Sequence, residues 1–242
     1  MPDKSSLRSI LINHKGRFCH KWEHYPEIYD HYFDRYRETD CVVLEIGVSH
    51  GGSMQVWKKY FGAKATIIGI DINKYCKNFS EDGIDIHIGS QSDREFLQSI
   101  KQKYPKIDIV IDDGGHFMDM QIISFEELYP HLALDGIYLC EDVHTSYIDE
   151  YGGGLEREGT FIEYTKKLVD RLHAFHSRDK EAFGPNKFTR STNAIHFYDG
   201  IIVIEKKVRP KRADWIRVGE KTLGNGGIVQ AVKDGINNIL KK

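Results

Sequence analysis

The segment CVVLEIGVSHGGS, residues 41–53, decides the fold. Its first six residues form a short apolar run rich in β-branched side chains, the pattern of a buried strand. Glycines at 47, 51 and 52 interrupt the run, and Met54, Trp57 and Phe61 then recur on one helical face. Working outward, residues 66–70 and 84–88 are a second and a third apolar run, and residues 94–100 have helical spacing. Residues 107–111 make a fourth run. Met118, Ile122, Phe125 and Tyr129 mark another helical face, stopped by Pro130, and residues 136–140 make a fifth run. Short buried strands alternating with amphipathic helices predict an α/β fold: a parallel sheet with right-handed crossovers, doubly wound and Rossmann-like.

The flanks differ. Residues 1–25 are polar and mixed, after which Pro26 opens a helical pattern of Ile28, Tyr29, Tyr32, Phe33 and Tyr36, which reads as helix packing. Downstream, residues 161–175 read as a helix. Residues 193–198 and 201–205 flank Asp199-Gly200, a two-residue hairpin signal. Five parallel strands closed by an antiparallel hairpin is the layout of class I methyltransferases. The expected divisions are an N-terminal helical extension over 1–39, a cofactor-binding domain over 40–208 and a C-terminal extension over 209–242. In the last of these, residues 228–240 suit an amphipathic helix for packing or oligomerisation.

Composition excludes several classes. The 242 residues carry 34 Lys plus Arg against 36 Asp plus Glu, so no basic excess points to nucleic acid. No apolar run approaches the ~20 residues that cross a bilayer, and the N-terminus lacks the apolar core of a signal peptide. The four cysteines are far apart with no CxxC pair, which argues against a disulfide framework or zinc site and for reduced thiols in the cytoplasm.

In such a sheet, ligands sit outside the carboxyl ends of the strands. The first strand ends in E-x-G-x-x-x-G-G rather than the G-x-G-x-x-G of pyrophosphate binders, and no lysine follows at P-loop spacing. Gly47 and Gly51 let the backbone pass close to a ligand, with Ser53 beside them. Glu45 suits a cofactor bearing an ammonium group. Asp71 ends the second strand about 20 residues past Gly51, where a carboxylate can take both hydroxyls of a ribose. Ser90 and its neighbours end the third strand with polar groups for an adenine edge. These features together fit S-adenosylmethionine. Asp112 joins the cofactor set, although strand alternation also allows it the opposite face.

Asp113 closes the fourth strand, and Glu141-Asp142 close the fifth. Neighbouring strands lie about 4.8 Å apart, so three carboxylates would converge beside the reactive end of the cofactor. Close carboxylates must take up protons or hold a cation, and oxygen ligands favour Mg²⁺, Mn²⁺ or Ca²⁺ over zinc. His116, turned back by two glycines, can accept a hydroxyl proton. His144 either binds substrate or bonds to the backbone. Tyr147 and Tyr151, beside three glycines, are candidates for a substrate loop.

The string IDDGGHxxxxQxxxFxxLYPxLxxxGxYxxEDxHTSY, residues 111–147, resembles the metal-dependent sugar O-methyltransferases of macrolide biosynthesis. It is also similar to the cephalosporin hydroxylase-like proteins. The resemblance runs from about Leu44 to Tyr147. It implies a class I fold, S-adenosylmethionine and Mg²⁺. Residue by residue, it implies Asp113, Glu141 and Asp142 as metal ligands, His116 as base, and Glu45, Gly47 and Asp71 as cofactor positions. The segment after Tyr147 looks like that of bacterial relatives attached to glycan synthesis, which puts a macrolide substrate in doubt and leaves a sugar hydroxyl. The expected protein is a homo-oligomeric O-methyltransferase acting on a sugar-containing small molecule or glycan precursor. Its rivals are an oxygenase of the cephalosporin hydroxylase kind, disfavoured by the lack of an obvious 2-His-1-carboxylate set, and a non-catalytic module that binds S-adenosylmethionine or glycan.

Overall fold

Val43 and Leu44 are adjacent in sequence and point to opposite faces, yet both are fully buried. Only a central strand covered on both sides allows this. That strand, β1 (Val42–Ile46), pairs in parallel with β2 (Thr66–Asp71) and β4 (Ile109–Asp112). Outside them lie β3 (Ile84–Ile88) and β5 (Ile137–Cys140), and an antiparallel pair, β6 (Thr192–Phe197) and β7 (Ile202–Lys206), completes the sheet. The order is β3-β2-β1-β4-β5-β7-β6. The chain winds outward from β1 through β2 to β3, then returns to β4, so the order reverses between β1 and β4. A crevice opens at such a switch. The two-residue hairpin is present: the amide of Tyr198 donates to the Ile201 carbonyl at 2.8 Å around Asp199 and Gly200.

Structural detail is described for residues 5–219 of this computed structural model. The chain divides into two units at residues 211 and 212. In the second, residues 212–219 form no helix or strand. The helix expected over 228–240 lies outside the described residues.

Helices α1 (Leu7–Ile12), α2 (Tyr25–Phe33) and α3 (Gly52–Phe61) supply one apolar layer, packed on Val43, Ile67, Ile111 and Leu139. Helices α4 (Arg94–Lys103), α5 (Met118–Leu128) and α6 (Phe161–His173) supply the other, packed on Leu44, Ile68, Val110 and Tyr138. A short α7 (Lys187–Ser191) precedes β6. The apolar face of α2 covers the sheet, so this N-terminal helix packs into the core of the first unit. Trp57 is 1% exposed and has Tyr29 at 5.2 Å and Phe33 at 6.1 Å between ring centroids. Truncating such a side chain to alanine costs about 3–5 kcal/mol. Among the described residues, no helix is long and apolar enough to cross a membrane.

Between α1 and α2, residues 13–24 form a strap over the carboxyl ends of the strands. Arg17 fastens its upstream end: its backbone amide donates to Gln55 Oε1 at 2.9 Å and its guanidinium to the Glu81 carboxylate at 2.9 Å. Tyr25 fastens the downstream end, donating its hydroxyl to Asp142 at 2.8 Å and to the Gly200 carbonyl at 3.2 Å.

Candidate active site

Strand alternation decides which acids meet. Glu45 pairs in register with Ile111, and Asp112 with Cys140, so Asp113 and Glu141 each lie one residue beyond a paired position. By period two, Glu45, Asp113 and Glu141 share the face of Val43, Ile111 and Leu139. Asp112 takes the other face. There it is buried, accepting hydrogen bonds from Ser124, from Tyr138 Oη at 2.8 Å and from Gln91 Nε2 at 3.0 Å. Asp112 therefore lies away from the cavity lined by Asp71 and His116, and the opposite face that alternation allowed is the one it adopts. Its role is indirect: it holds Gln91, whose Oε1 accepts the Gly115 amide at 2.7 Å and braces the loop that carries His116.

The three acids on the first face surround a lysine from the strap. Lys21 Nζ lies 2.6 Å from Asp113 Oδ2, 2.9 Å from both oxygens of Glu141 and 3.5 Å from Glu45 Oε1. Its side chain is 5% exposed. Burial works against the ammonium, but Asp113 and Glu141 outweigh it and hold Lys21 well above the ordinary lysine range. One ammonium does not neutralise the group. Burial, then the neighbouring Asp113 carboxylate, push Glu141 well above the ordinary carboxylate range, with Lys21 opposing, and burial also raises Glu45. Ser53 Oγ donates to the second oxygen of Glu45 at 2.7 Å.

Asp142 follows Glu141 directly, and a continued strand would point it to the far face. Its φ of +51° breaks the strand and turns the side chain back to the cavity mouth. Trp22 Nε1 donates to it at 3.1 Å, beside the bond from Tyr25. His116 also has a left-handed backbone, φ +57°, and its Nε2 lies 3.8 Å from both Asp113 Oδ1 and Asp142 Oδ2. A left-handed non-glycine residue costs about 1–2 kcal/mol, and Ser49, His116 and Asp142 carry that strain at three strand ends. His116 Nδ1 is buried without a hydrogen-bond partner.

Two cavities meet here. One of about 450 Å³ runs along Gly47, Asp71, Ser90 and Gln91 to Gly115, His116 and Phe117. The other, about 320 Å³, is lined by His20, Lys21, Trp22, Glu23, Asp113, Glu141 and Asp142. His20, Asp113 and Asp142 line both. In the larger cavity, Gly47 has φ +94°, and a Cβ there would lie 1.9 Å from the Asp113 carbonyl oxygen, so β1 and β4 close on each other only with glycine. Asp71 accepts the amides of Val48 at 3.0 Å, Ser49 at 2.9 Å and Asn73 at 2.8 Å. Gly51, the residue capping α3 at its N-terminus, has φ +75° and gives close passage to Arg17 and Phe79 rather than lining the larger cavity.

The acids fit a divalent cation. Asp113, His116 and Asp142 present ligand atoms within 4.8 Å of one another, as do Glu45, Asp113 and Glu141, and in the second group a cation, the Lys21 ammonium, is already seated. The structure divides the expected set of Asp113, Glu141 and Asp142 between two groups that share Asp113. His144 packs edge-on against Trp22 at 6.0 Å, and Tyr151 lies 6.4 Å from the His116 ring. Neither they nor the exposed Tyr147 line the two cavities. Sequence reading missed Lys21, His20, Trp22 and Tyr25. Lys21 is 92 residues from Asp113 and 120 from Glu141, in a segment without periodicity, so no local signal marks it.

The FtsJ-like methyltransferase family matches residues 19–177. The mycinamicin VI 2''-O-methyltransferase of Micromonospora griseorubida is 34% identical over 215 residues, covering 85% of this chain and 53% of that protein. A tetracenomycin-C rhamnosyl 3'-O-methyltransferase of Streptomyces olivaceus is 34% identical over 215 residues, covering 83% and 53%. Among solved structures, the MycE methyltransferase of the mycinamycin pathway in complex with Mg, SAH and mycinamycin VI superposes with a TM-score of 0.78 at 28% identity, covering 96% of this chain and 60% of that one. The chain spans about half the length of the curated relatives it matches.

Proposed function

The chain belongs to the FtsJ-like methyltransferase family, and from that premise we propose that it transfers a methyl group from S-adenosylmethionine to a sugar hydroxyl with the help of Mg²⁺ or Mn²⁺. One observation carries the proposal: a donor-sized cavity and a smaller acidic cavity share Asp113 and Asp142, with His116 Nε2 equidistant from both acids. The named activities of the two relatives above, O-methylation of mycinamicin VI and of a rhamnosyl tetracenomycin-C, support the acceptor class.

S-adenosylmethionine supplies an electrophilic methyl on sulfur, and a divalent cation supplies Lewis acidity toward the acceptor hydroxyl. The remaining work belongs to the chain. Asp71 holds the ribose, Ser90 and Gln91 border the adenine end, and Gly47 lets the backbone approach the cofactor. Asp113, Glu141 and Asp142 hold the cation. His116 takes the acceptor proton at Nε2. Trp22 walls the acceptor side and, through Asp142, ties that wall to the acidic centre. Orientation supplies much of the acceleration, since the donor is already reactive.

The acceptor in this reading is a sugar-bearing small molecule or glycan precursor, and the enzyme a cytoplasmic homo-oligomer. The four unpaired cysteines support a reducing compartment, and the exposed Phe197 and Tyr198 by the edge strand support assembly. An iron oxygenase is disfavoured, because the ligand groups among the described residues contain one histidine and His144 joins neither. The test is transfer of labelled methyl from S-adenosylmethionine to rhamnosyl and other deoxysugar glycosides, with and without chelator. We expect methylated product that chelation abolishes and Mg²⁺ or Mn²⁺ restores. Full turnover in excess chelator would remove the cation from the mechanism.

A further inference from the structure

The Lys21 ammonium sits where a divalent cation bridging Asp113 and Glu141 would sit. Such an ion is held by oxygens at roughly 2.0–2.6 Å. Nζ lies 2.6 Å from Asp113 Oδ2 and 2.9 Å from both Glu141 oxygens. Ammonium and ion cannot occupy one place, and two cations a few ångströms apart in a buried site repel strongly. We infer that Lys21 is the resident cation of the Asp113–Glu141 seat and that a divalent ion binds there only by displacing it. The inference rests on the divalent-cation reading above.

The attachments of the strap define what the exchange moves. Upstream, Arg17 is held by Gln55, the Gly51 and Phe79 carbonyls and Glu81. Downstream, α2 is buried in the core. Besides the exposed Arg8–Glu23 ion pair at 2.6 Å, the exposed His24 contact with the Asp199 carbonyl at 2.9 Å and the Phe18–His50 ring contact at 5.5 Å, the intervening residues 18–24 are tied down at the acidic centre by the Lys21 contacts and the Trp22 bond to Asp142, and Asp142 is itself a proposed ligand. Withdrawing Lys21 therefore loosens residues 18–24, the part of the strap that carries His20, Trp22 and Glu23 into the acceptor cavity. Loading the cation and opening the acceptor side become one event. While the seat is empty of metal, Lys21 keeps the carboxylates paired and the strap closed.

The experiment uses Mn²⁺ alone as probe. Amide hydrogen exchange of the wild-type protein, with binding followed in parallel by calorimetry, should show residues 18–24 exchanging at least tenfold faster with Mn²⁺ while residues 113–116 exchange more slowly. Lys21→Met should bind Mn²⁺ at least tenfold more tightly than wild type and should lose thermal stability when the ion is chelated. If Mn²⁺ binds and the exchange of residues 18–24 is unchanged or slowed, Lys21 stays in place, the ion rests on Asp113, His116 and Asp142, and the inference is wrong. A Lys21→Met protein with wild-type affinity overturns it equally. If neither protein binds Mn²⁺, the divalent-cation reading itself fails and takes this one with it.

Discussion

Replacing Asp71 with asparagine separates two duties of one carboxylate. An ionised carboxylate has about four acceptor sites. Three are taken by the amides of Val48, Ser49 and Asn73, at 3.0, 2.9 and 2.8 Å. About one site remains, so in the proposed role Asp71 would make a single strong bond to one ribose hydroxyl rather than grip both. Asparagine keeps one acceptor oxygen and puts an amide NH₂ in place of the other. If NH₂ replaces Oδ2, it meets the donors of Val48 and Ser49; if it replaces Oδ1, it meets that of Asn73. At least one amide loses its partner, which costs about 1–3 kcal/mol of stability. The ribose loses a charge-assisted bond worth roughly 1.5–3 kcal/mol, which at 1.4 kcal/mol per tenfold is about 10- to 100-fold in affinity. Titration calorimetry with S-adenosylmethionine and urea unfolding of the same preparation measure the two losses separately. A variant that loses stability but binds S-adenosylmethionine within threefold of wild type would make Asp71 a brace of the turn and nothing more.

Three further outcomes are expected. Gly47→Ala forces a Cβ to within 1.9 Å of the Asp113 carbonyl oxygen at φ +94°, so strain and overpacking should together cost about 2–5 kcal/mol; a denaturation shift below 1 kcal/mol would contradict that closeness. His116→Ala should lower kcat by about 10²–10⁴-fold with S-adenosylmethionine affinity unchanged, and a kcat within a few-fold of wild type would place the base elsewhere. Hydrogen bonds from Lys101 and Arg94, each 2.6 Å, hold Glu127 below its ordinary 4.5. Its depressed value means the contribution is present above about pH 4.5 and is lost as pH falls through the folded value. Glu127→Gln should therefore cost at most about 1 kcal/mol at neutral pH, because the pair is partly exposed, and the difference from wild type should vanish in acid; an equal deficit at pH 3 would show that charge is not the cause.

The strand-and-helix rhythm from residue 41 to residue 140 was legible because each element carries its own period, two for strands and 3.6 for helices, and because the glycines after β1 punctuate it. Strand ends locate the crevice, so Glu45, Gly47, Asp71, Asp113 and the Glu141-Asp142 pair could be named from position alone. Helices α1 and α7 were not legible. They have six and five residues, too short for a periodic signal to stand out from the polar segments around them. Asp112 and Asp113 are neighbours in the chain, and only the pleat separates them, one toward Ser124 and Tyr138, the other toward Lys21. Glu141 and Asp142 reach the same site by different means, one by strand parity and the other by a left-handed turn that no propensity of aspartate dictates. Lys21 shows the limit most plainly. Its sequence neighbours are polar and aperiodic, and its partners lie 24, 92 and 120 residues away. Local pattern records which face a residue presents to its own element, whereas the charge that balances a buried carboxylate is set by whichever segment the whole fold brings over it.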